Sequence, residues 1–127
     1  MTSILVVDDE PQIRRALTLN LGVRLFDVRE AATGEEALAI VAAEQPDVVL
    51  LDLGLPGMNG MAVLETLRRY HGMAVIVLTA RDDEVSRIDA LEAGADDFVT
   101  KPFGMTDLVS RVRAVLKSKA APRRREA

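Results

Sequence analysis

The chain has 127 residues, a net charge of −4, 49% hydrophobic and 3% aromatic residues, and no cysteine. That length suits one domain with an aliphatic core that needs neither disulfides nor a structural metal. The composition excludes a disulfide framework and thiolate metal sites, no apolar stretch approaches the roughly 18 residues of a membrane span, and the acidic balance argues against gripping nucleic acid through the general surface. The opening MTSILVVDDE has no basic flank before its short apolar run, so it does not read as a secretion signal.

Strand and helix patterns alternate five times. Ser3–Val7 is a continuous apolar run that ends in the acidic pair Asp8 and Asp9. Pro11 stands where a helix tolerates a missing N–H, and Ile13, Ala16, Leu17, Asn20 and Leu21 follow at helical spacing. A short strand over Asp27–Ala31 precedes Thr33, which matches a capping box with Glu36. The second helix runs through Glu44, packs Ala37, Leu38 and Val41, and is stopped by Pro46. Val48–Leu51 is apolar at every position, as a central strand covered on both faces requires, and Asp52 follows it.

Gly54, Pro56, Gly57, Asn59 and Gly60 mark a loop, after which a third helix presents Met61, Leu64 and Leu67 and ends at Gly72. Ala74–Leu78 is another buried strand, followed by Thr79. Asp83 is placed to cap a fourth helix carrying Val85, Ile88 and Leu91, which stops at Gly94. Asp97–Thr100 is the fifth strand, Lys101 follows, and Leu108, Val112, Val115 and Leu116 line the last helix. This alternation predicts right-handed crossovers and a doubly wound α/β fold, a five-stranded parallel sheet with helices on both faces. We expect one domain over 1–118 and a linker or disordered tail over 119–127. Arg123, Arg124 and Arg125 beside Pro122 read as linker rather than as a DNA-contacting arm.

In an open parallel sheet, ligand chemistry gathers outside the carboxyl ends of the strands. Asp8, Asp9, Asp52, Thr79 and Lys101 follow four different strands and are therefore expected at one mouth. Taken singly they are ordinary: Asp8 or Asp9 as a helix cap, Thr79 as a strand end, Lys101 as a surface lysine beside Pro102. Together they are three carboxylates, a hydroxyl and an ammonium. At ~4–5 Å and an effective dielectric near 20, each like-charge pair costs roughly 3–4 kcal/mol. Mg²⁺ relieves that repulsion and keeps waters that a phosphate can replace. The set suits Mg²⁺-assisted transfer of a phosphoryl group onto a carboxylate, with Lys101 supplying charge and Thr79 a hydroxyl donor. His71, the only histidine, follows the third helix at a turn and reads as a surface residue rather than a phosphocarrier.

Four motifs in order carry a resemblance: DDE after the first strand, LLDLGLPGMNG around Asp52, LTA at Thr79 and GADDFVTKPF around Lys101. From about Ile4 to Leu116 the chain resembles the receiver domains of bacterial two-component response regulators. The resemblance implies a flavodoxin-like (CheY-like) sheet of order 2-1-3-4-5. It implies that Asp52 is the phospho-acceptor, taking a phosphoryl group from a phosphohistidine on a sensor histidine kinase. Mg²⁺, with Mn²⁺ as a substitute, is then held by Asp9, Asp52 and the backbone carbonyl of Gly54, with Asp8 acting through water. Lys101 contacts the phosphoryl oxygens, and the Lys101–Pro102 peptide is expected to be cis. Thr79, beside small Ala80, moves inward and Phe98 rotates into the space it leaves. Many relatives have Tyr at this position; Phe98 keeps the packing switch without the hydroxyl.

Arg87, Glu92, Asp96, Asp97, Asp107, Arg111 and Arg113 read from charge alone as a solvated face. Resemblance to the winged-helix (OmpR/PhoB-like) transcription factors implies instead a two-fold dimer on phosphorylation. Arg87 would pair with Asp107, Glu92 with Arg113 and Asp97 with Arg111, around Ile88, Leu91 and Val109. LDLGLPGMNG and KPFGM also resemble regulators of the potassium-uptake (Kdp) type. The implied protein is a cytoplasmic signalling switch that catalyses only its own phosphotransfer and dephosphorylation, with no membrane partner. It meets DNA only through an output domain absent from this chain. Gly54 and Arg81 flank the water path of dephosphorylation in that family. One alternative is a stand-alone receiver acting by protein–protein contact. Another is an Mg²⁺-dependent phosphatase of the haloacid-dehalogenase type; against it, Gly54 stands where that family's DxDx[TV] motif needs a second carboxylate, and nothing resembles a cap domain.

Overall fold

Five strands and five helices alternate along the chain: β1 (Ser3–Val7), α1 (Pro11–Gly22), β2 (Asp27–Ala31), α2 (Gly34–Glu44), β3 (Val48–Asp52), α3 (Gly60–Tyr70), β4 (Ala74–Thr79), α4 (Glu84–Glu92), β5 (Asp97–Thr100) and α5 (Met105–Ala120). This computed structural model describes residues 1–80 and 84–120. Arg81, Asp83, the side chain of Val85 and the tail arginines lie outside the described residues. The strands are parallel and ordered β2-β1-β3-β4-β5, as expected. The chain reverses its direction of travel across the sheet between β1 and β3, which is where a ligand crevice opens in such folds.

β3 and β4 are buried along their whole length because helices cover both faces. Side chains alternate across a strand, so Val49, Leu51, Val75 and Val77 meet Ala37, Val41, Val63, Leu64, Leu67 and Ala90 on one side. Val48, Leu50, Ile76 and Leu78 meet Leu17, Leu21, Leu108, Val112 and Val115 on the other. β2 is the exposed edge, with only Ala31 buried.

Local differences from the sequence reading have simple causes. Gly60 opens α3 rather than ending the loop, and Asn59 caps it by accepting from the Ala62 N–H at 2.9 Å. A Cβ at position 60 would sit 2.4 Å from Leu53 Cα, so the helix start lies directly on the loop leaving β3. Thr33 accepts from the Glu36 N–H at 3.1 Å, but the Glu36 carboxylate reaches past the cap to the Ala32 N–H at 2.7 Å. Gln45 takes a left-handed conformation, φ 49°, to turn the chain out of α2 before Pro46. α3 ends at Tyr70, one turn residue before Gly72. On α4, Ala90 is buried whereas Ile88 and Leu91 face outward. α5 continues to Ala120, two residues past the expected boundary. Among the described residues, no helix is long and apolar enough to cross a membrane.

Candidate functional site

The five singled-out side chains meet at the carboxyl edge of the sheet. Asp8 leaves β1 with its N–H donating to the Ala31 carbonyl at 3.1 Å. Its carboxylate is fully buried and accepts from the Glu10 N–H at 2.9 Å and from Lys101 Nζ at 2.9 Å. Asp52 is the last residue of β3 and accepts from the Gly54 N–H at 3.1 Å. Lys101 Nζ stands 3.6 Å from Asp52 Oδ2 and 3.8 Å from Glu10 Oε1. Asp9 is exposed, and its carboxylate has no hydrogen bond or ion pair among the described residues. One oxygen from each of Asp8, Asp9 and Asp52 lies within 4.8 Å of the others.

Lys101 is held in place by its backbone, whose N–H donates to the Thr79 carbonyl at 2.7 Å. The Lys101–Pro102 peptide is cis, as expected. Thr79 itself is buried at the end of β4, paired in register with Thr100. Asp9, Asp52, Thr79 and Lys101 line one cleft of about 990 Å³, together with Glu10 and, from α4, Ser86 and Asp89.

Burial pushes the Asp52 carboxyl above the ordinary 3.8, and Asp8 and Asp9 add to that, against the Gly54 N–H and Lys101. Burial alone would lower the Lys101 ammonium, but its hydrogen bond to Asp8 and the charges of Asp52, Asp8 and Glu10 raise it overall. Lys101 is therefore a fixed cation, and one cation among three carboxylates leaves the mouth negative. The donors are all oxygen and Asp9 is open to solvent, which suits a hard divalent cation such as Mg²⁺. Gly54, singled out for its carbonyl, contributes its N–H to Asp52 within the chain.

The sequence reading missed Glu10 and Arg14. Arg14 Nη1 donates to the Asp8 carbonyl at 2.6 Å. Charged residues near a helix start carry no periodicity signal, so neither stood out. His71 sits at the amino ends of β3 and β4 beside Asp47 and Ala74, the edge opposite Asp52.

On the face formed by α4, β5 and α5, Arg111 binds Asp97 at 3.0 Å and Asp107 at 3.2 Å within one chain. The hydrogen bonds to Asp97 and then Asp107 raise the Arg111 pKa. The Phe98 ring is 2% exposed, with the Arg87 guanidinium 4.9 Å above its centroid. Arg113 lies 5.6 Å over Phe26. Val109, expected in the exposed apolar patch, is 7% exposed and belongs to the core beside Leu17 and Leu21. Leu108, Val109, Val112 and Val115 turn one stripe of α5 to the sheet at helical spacing, and Ile88 and Leu91 of α4 are the exposed apolar groups here. Glu92 is exposed beside them.

Residues 4–113 match the family described as the response regulator receiver domain. The transcriptional regulatory protein KdpE of Mycobacterium tuberculosis is 54% identical over 121 residues, which cover 95% of this chain and 54% of that protein. The chain thus spans about half the length of the curated relatives it matches. The BeF₃-activated N-terminal receiver domain of Klebsiella pneumoniae RstA superposes with a TM-score of 0.88 at 34% identity, covering 91% of this chain and 99% of that one. The chemotaxis protein CheY4 of Vibrio cholerae gives 0.86 at 28% identity, covering 91% and 98%. With the fold, the acidic mouth and the motif order all in agreement with these matches, the chain belongs to the response regulator receiver domain family.

Proposed function

We propose that this chain is the phosphorylation-activated switch of a Kdp-type transcription regulator, with Asp52 as the phospho-acceptor. The observation that carries the reading is the convergence of Asp8, Asp9 and Asp52 within 4.8 Å around the Lys101 ammonium. Asp9, Asp52 and the Gly54 carbonyl, assisted by Asp8, would hold Mg²⁺ or Mn²⁺ in its place, and the ion would supply neutralising charge to the phosphoryl oxygens.

Asp52 is the nucleophile. One of its carboxylate oxygens forms the new O–P bond as the N–P bond of a phosphohistidine on a sensor histidine kinase breaks, and the electron pair returns to the imidazole. Asp52 is oriented for this by the Gly54 N–H on Oδ1. Lys101, kept charged by Asp8, faces the oxygens on which charge accumulates. Thr79 donates its hydroxyl to one of them, and Phe98 is the aromatic group that responds.

The output is a two-fold dimer through α4, β5 and α5. Ile88 and Leu91 form its apolar centre, ringed by Arg87, Glu92, Asp97, Asp107, Arg111 and Arg113. Asp97 and Arg111 are already bound to each other in one chain, so dimerisation exchanges partners and sets register more than affinity. DNA contact belongs to an output domain outside this chain, and the assembly acts in the cytoplasm.

Incubation with Mg²⁺ and acetyl phosphate or beryllofluoride, followed by intact mass and sedimentation, tests this reading. The expected result is one stable adduct, lost in Asp52→Asn, with a shift to dimer. Repeated turnover of a phosphomonoester would support the phosphatase alternative, and an adduct without dimerisation would support a stand-alone receiver.

A further inference from the structure

Arg14 sits in an unusual place for a cation. It lies at the fourth position of α1, whose first turn holds no acidic residue and whose N-cap, Glu10, makes no side-chain cap bond. A positive charge near a helix N-terminus is disfavoured by the helix dipole, so helix stability does not explain it. Its side chain is nevertheless only 17% exposed. Nη1 donates to the Asp8 carbonyl at 2.6 Å, and Nε donates to Glu30 Oε1 at 3.3 Å. The other Glu30 oxygen accepts from Thr18 Oγ1 at 2.9 Å.

We propose, on the reading of Asp8, Asp9 and Asp52 as a divalent-cation and phosphoryl site, that Arg14 is a positioning residue that sets the direction in which Asp9 enters that site. The carbonyl of Asp8 and the amide of Asp9 form one planar unit. Fixing the carbonyl therefore fixes where the Asp9 Cα departs from β1. The N–H of Asp8 is already tied to the edge strand through Ala31; Arg14 ties the carbonyl to the same strand through Glu30. The two aspartates depend on this differently. The Asp8 carboxylate has two donors of its own, Glu10 N–H and Lys101 Nζ. The Asp9 carboxylate has none among the described residues, so its approach to the cluster is governed by the backbone that Arg14 holds. A planar guanidinium bridges a carbonyl and a carboxylate at fixed angles, which an ammonium does less well.

The competing role is a simple staple between α1 and β2, which predicts lost stability with unchanged cation affinity. Calorimetric titration of Mg²⁺ into the parent chain, Arg14→Ala, Arg14→Lys, Glu30→Gln and Asp52→Asn separates the two. Arg14→Ala is expected to bind Mg²⁺ about tenfold more weakly, the low end of what outer partners of metal ligands contribute. Arg14→Lys should recover part of the loss, and Glu30→Gln should fall between parent and Arg14→Ala. Should Arg14→Ala fail to fold, Arg14→Lys and Glu30→Gln carry the comparison. Parental affinity in the folded Arg14 variants would overturn the positioning role. No saturable Mg²⁺ binding by the parent, or none lost in Asp52→Asn, would instead overturn the reading of the site itself.

Discussion

Replacing Asp52 with Asn should stabilise the metal-free protein, and the gain should depend on pH. The ligand oxygens of Asp8, Asp9 and Asp52 lie within 4.8 Å of one another. At that separation and an effective dielectric of 20, each repulsion suffered by Asp52 is about 3.5 kcal/mol. Lys101 Nζ at 3.6 Å returns about 4.6 kcal/mol of attraction on the same basis. Asp9 is exposed and its share is screened, while the charge-assisted bond from the Gly54 N–H weakens in the amide. Relief of burial adds to the gain, and the net effect is about 1–2 kcal/mol. For a domain of this size that raises the thermal midpoint by roughly 4–10 °C.

The pH dependence follows from the raised Asp52 pKa, which burial causes first and its acidic neighbours reinforce. The folded state binds that proton more tightly than the unfolded chain does. The ionisation penalty is therefore absent below the unfolded value of 3.8, grows as pH rises toward the folded value, and is complete above it. The difference between Asp52→Asn and parent should be small near pH 4, grow as pH rises, and level off only above the folded value. Thermal denaturation followed by circular dichroism across that range, with divalent ions chelated, measures it. A destabilised variant at pH 7, or a gain that does not vary with pH, would refute the reasoning.

Mg²⁺ at a hundred times its dissociation constant should stabilise the parent by about 2.7 kcal/mol, with the effect abolished in Asp52→Asn and removed by a chelator; thermal shift measures both. Lys101→Met should destabilise the metal-free protein by about 2–4 kcal/mol, because Asp8 stays buried without its cation, while Mg²⁺ affinity is retained; urea denaturation and metal titration check this. Arg111→Ala should change monomer stability by under about 1 kcal/mol, since its ion pairs are partly exposed, and should weaken beryllofluoride-induced dimerisation in sedimentation without abolishing it. Arg87→Ala should loosen the Phe98 ring through loss of a cation–π contact of about 1 kcal/mol, visible as faster ring flipping by NMR.

β1, β3 and β4 were legible because burial on both faces leaves an apolar run no helix period explains. β2 and β5 fall where expected, whereas β3 and β4 extend one residue further, onto Asp52 and Thr79 themselves. Apolarity marks burial, while the ladder is set by backbone pairing, which continues to Asp52 opposite Leu78. The acidic mouth was legible because unpaired charge after a buried strand calls for a partner. Arg14 was not, since a flexible side chain on a helix can bend back over a loop without leaving a trace in spacing. The pairing of Asp97 with Arg111 inside one chain is likewise invisible in sequence, where the same charges serve a symmetric neighbour equally well. Val109 shows the same limit: its apolar character cannot say which side of α5 it occupies.

The bond from the Lys101 amide to the Thr79 carbonyl, at 2.7 Å, yokes two residues of the proposed phosphoryl site from adjacent strands. Rotation of the Thr79 hydroxyl leaves this tether alone, but any travel of its main chain tows Lys101 along with it. The strand end carrying Phe98 is then drawn in the same stroke, so the proposed switch would work through a shared beam rather than through independent levers.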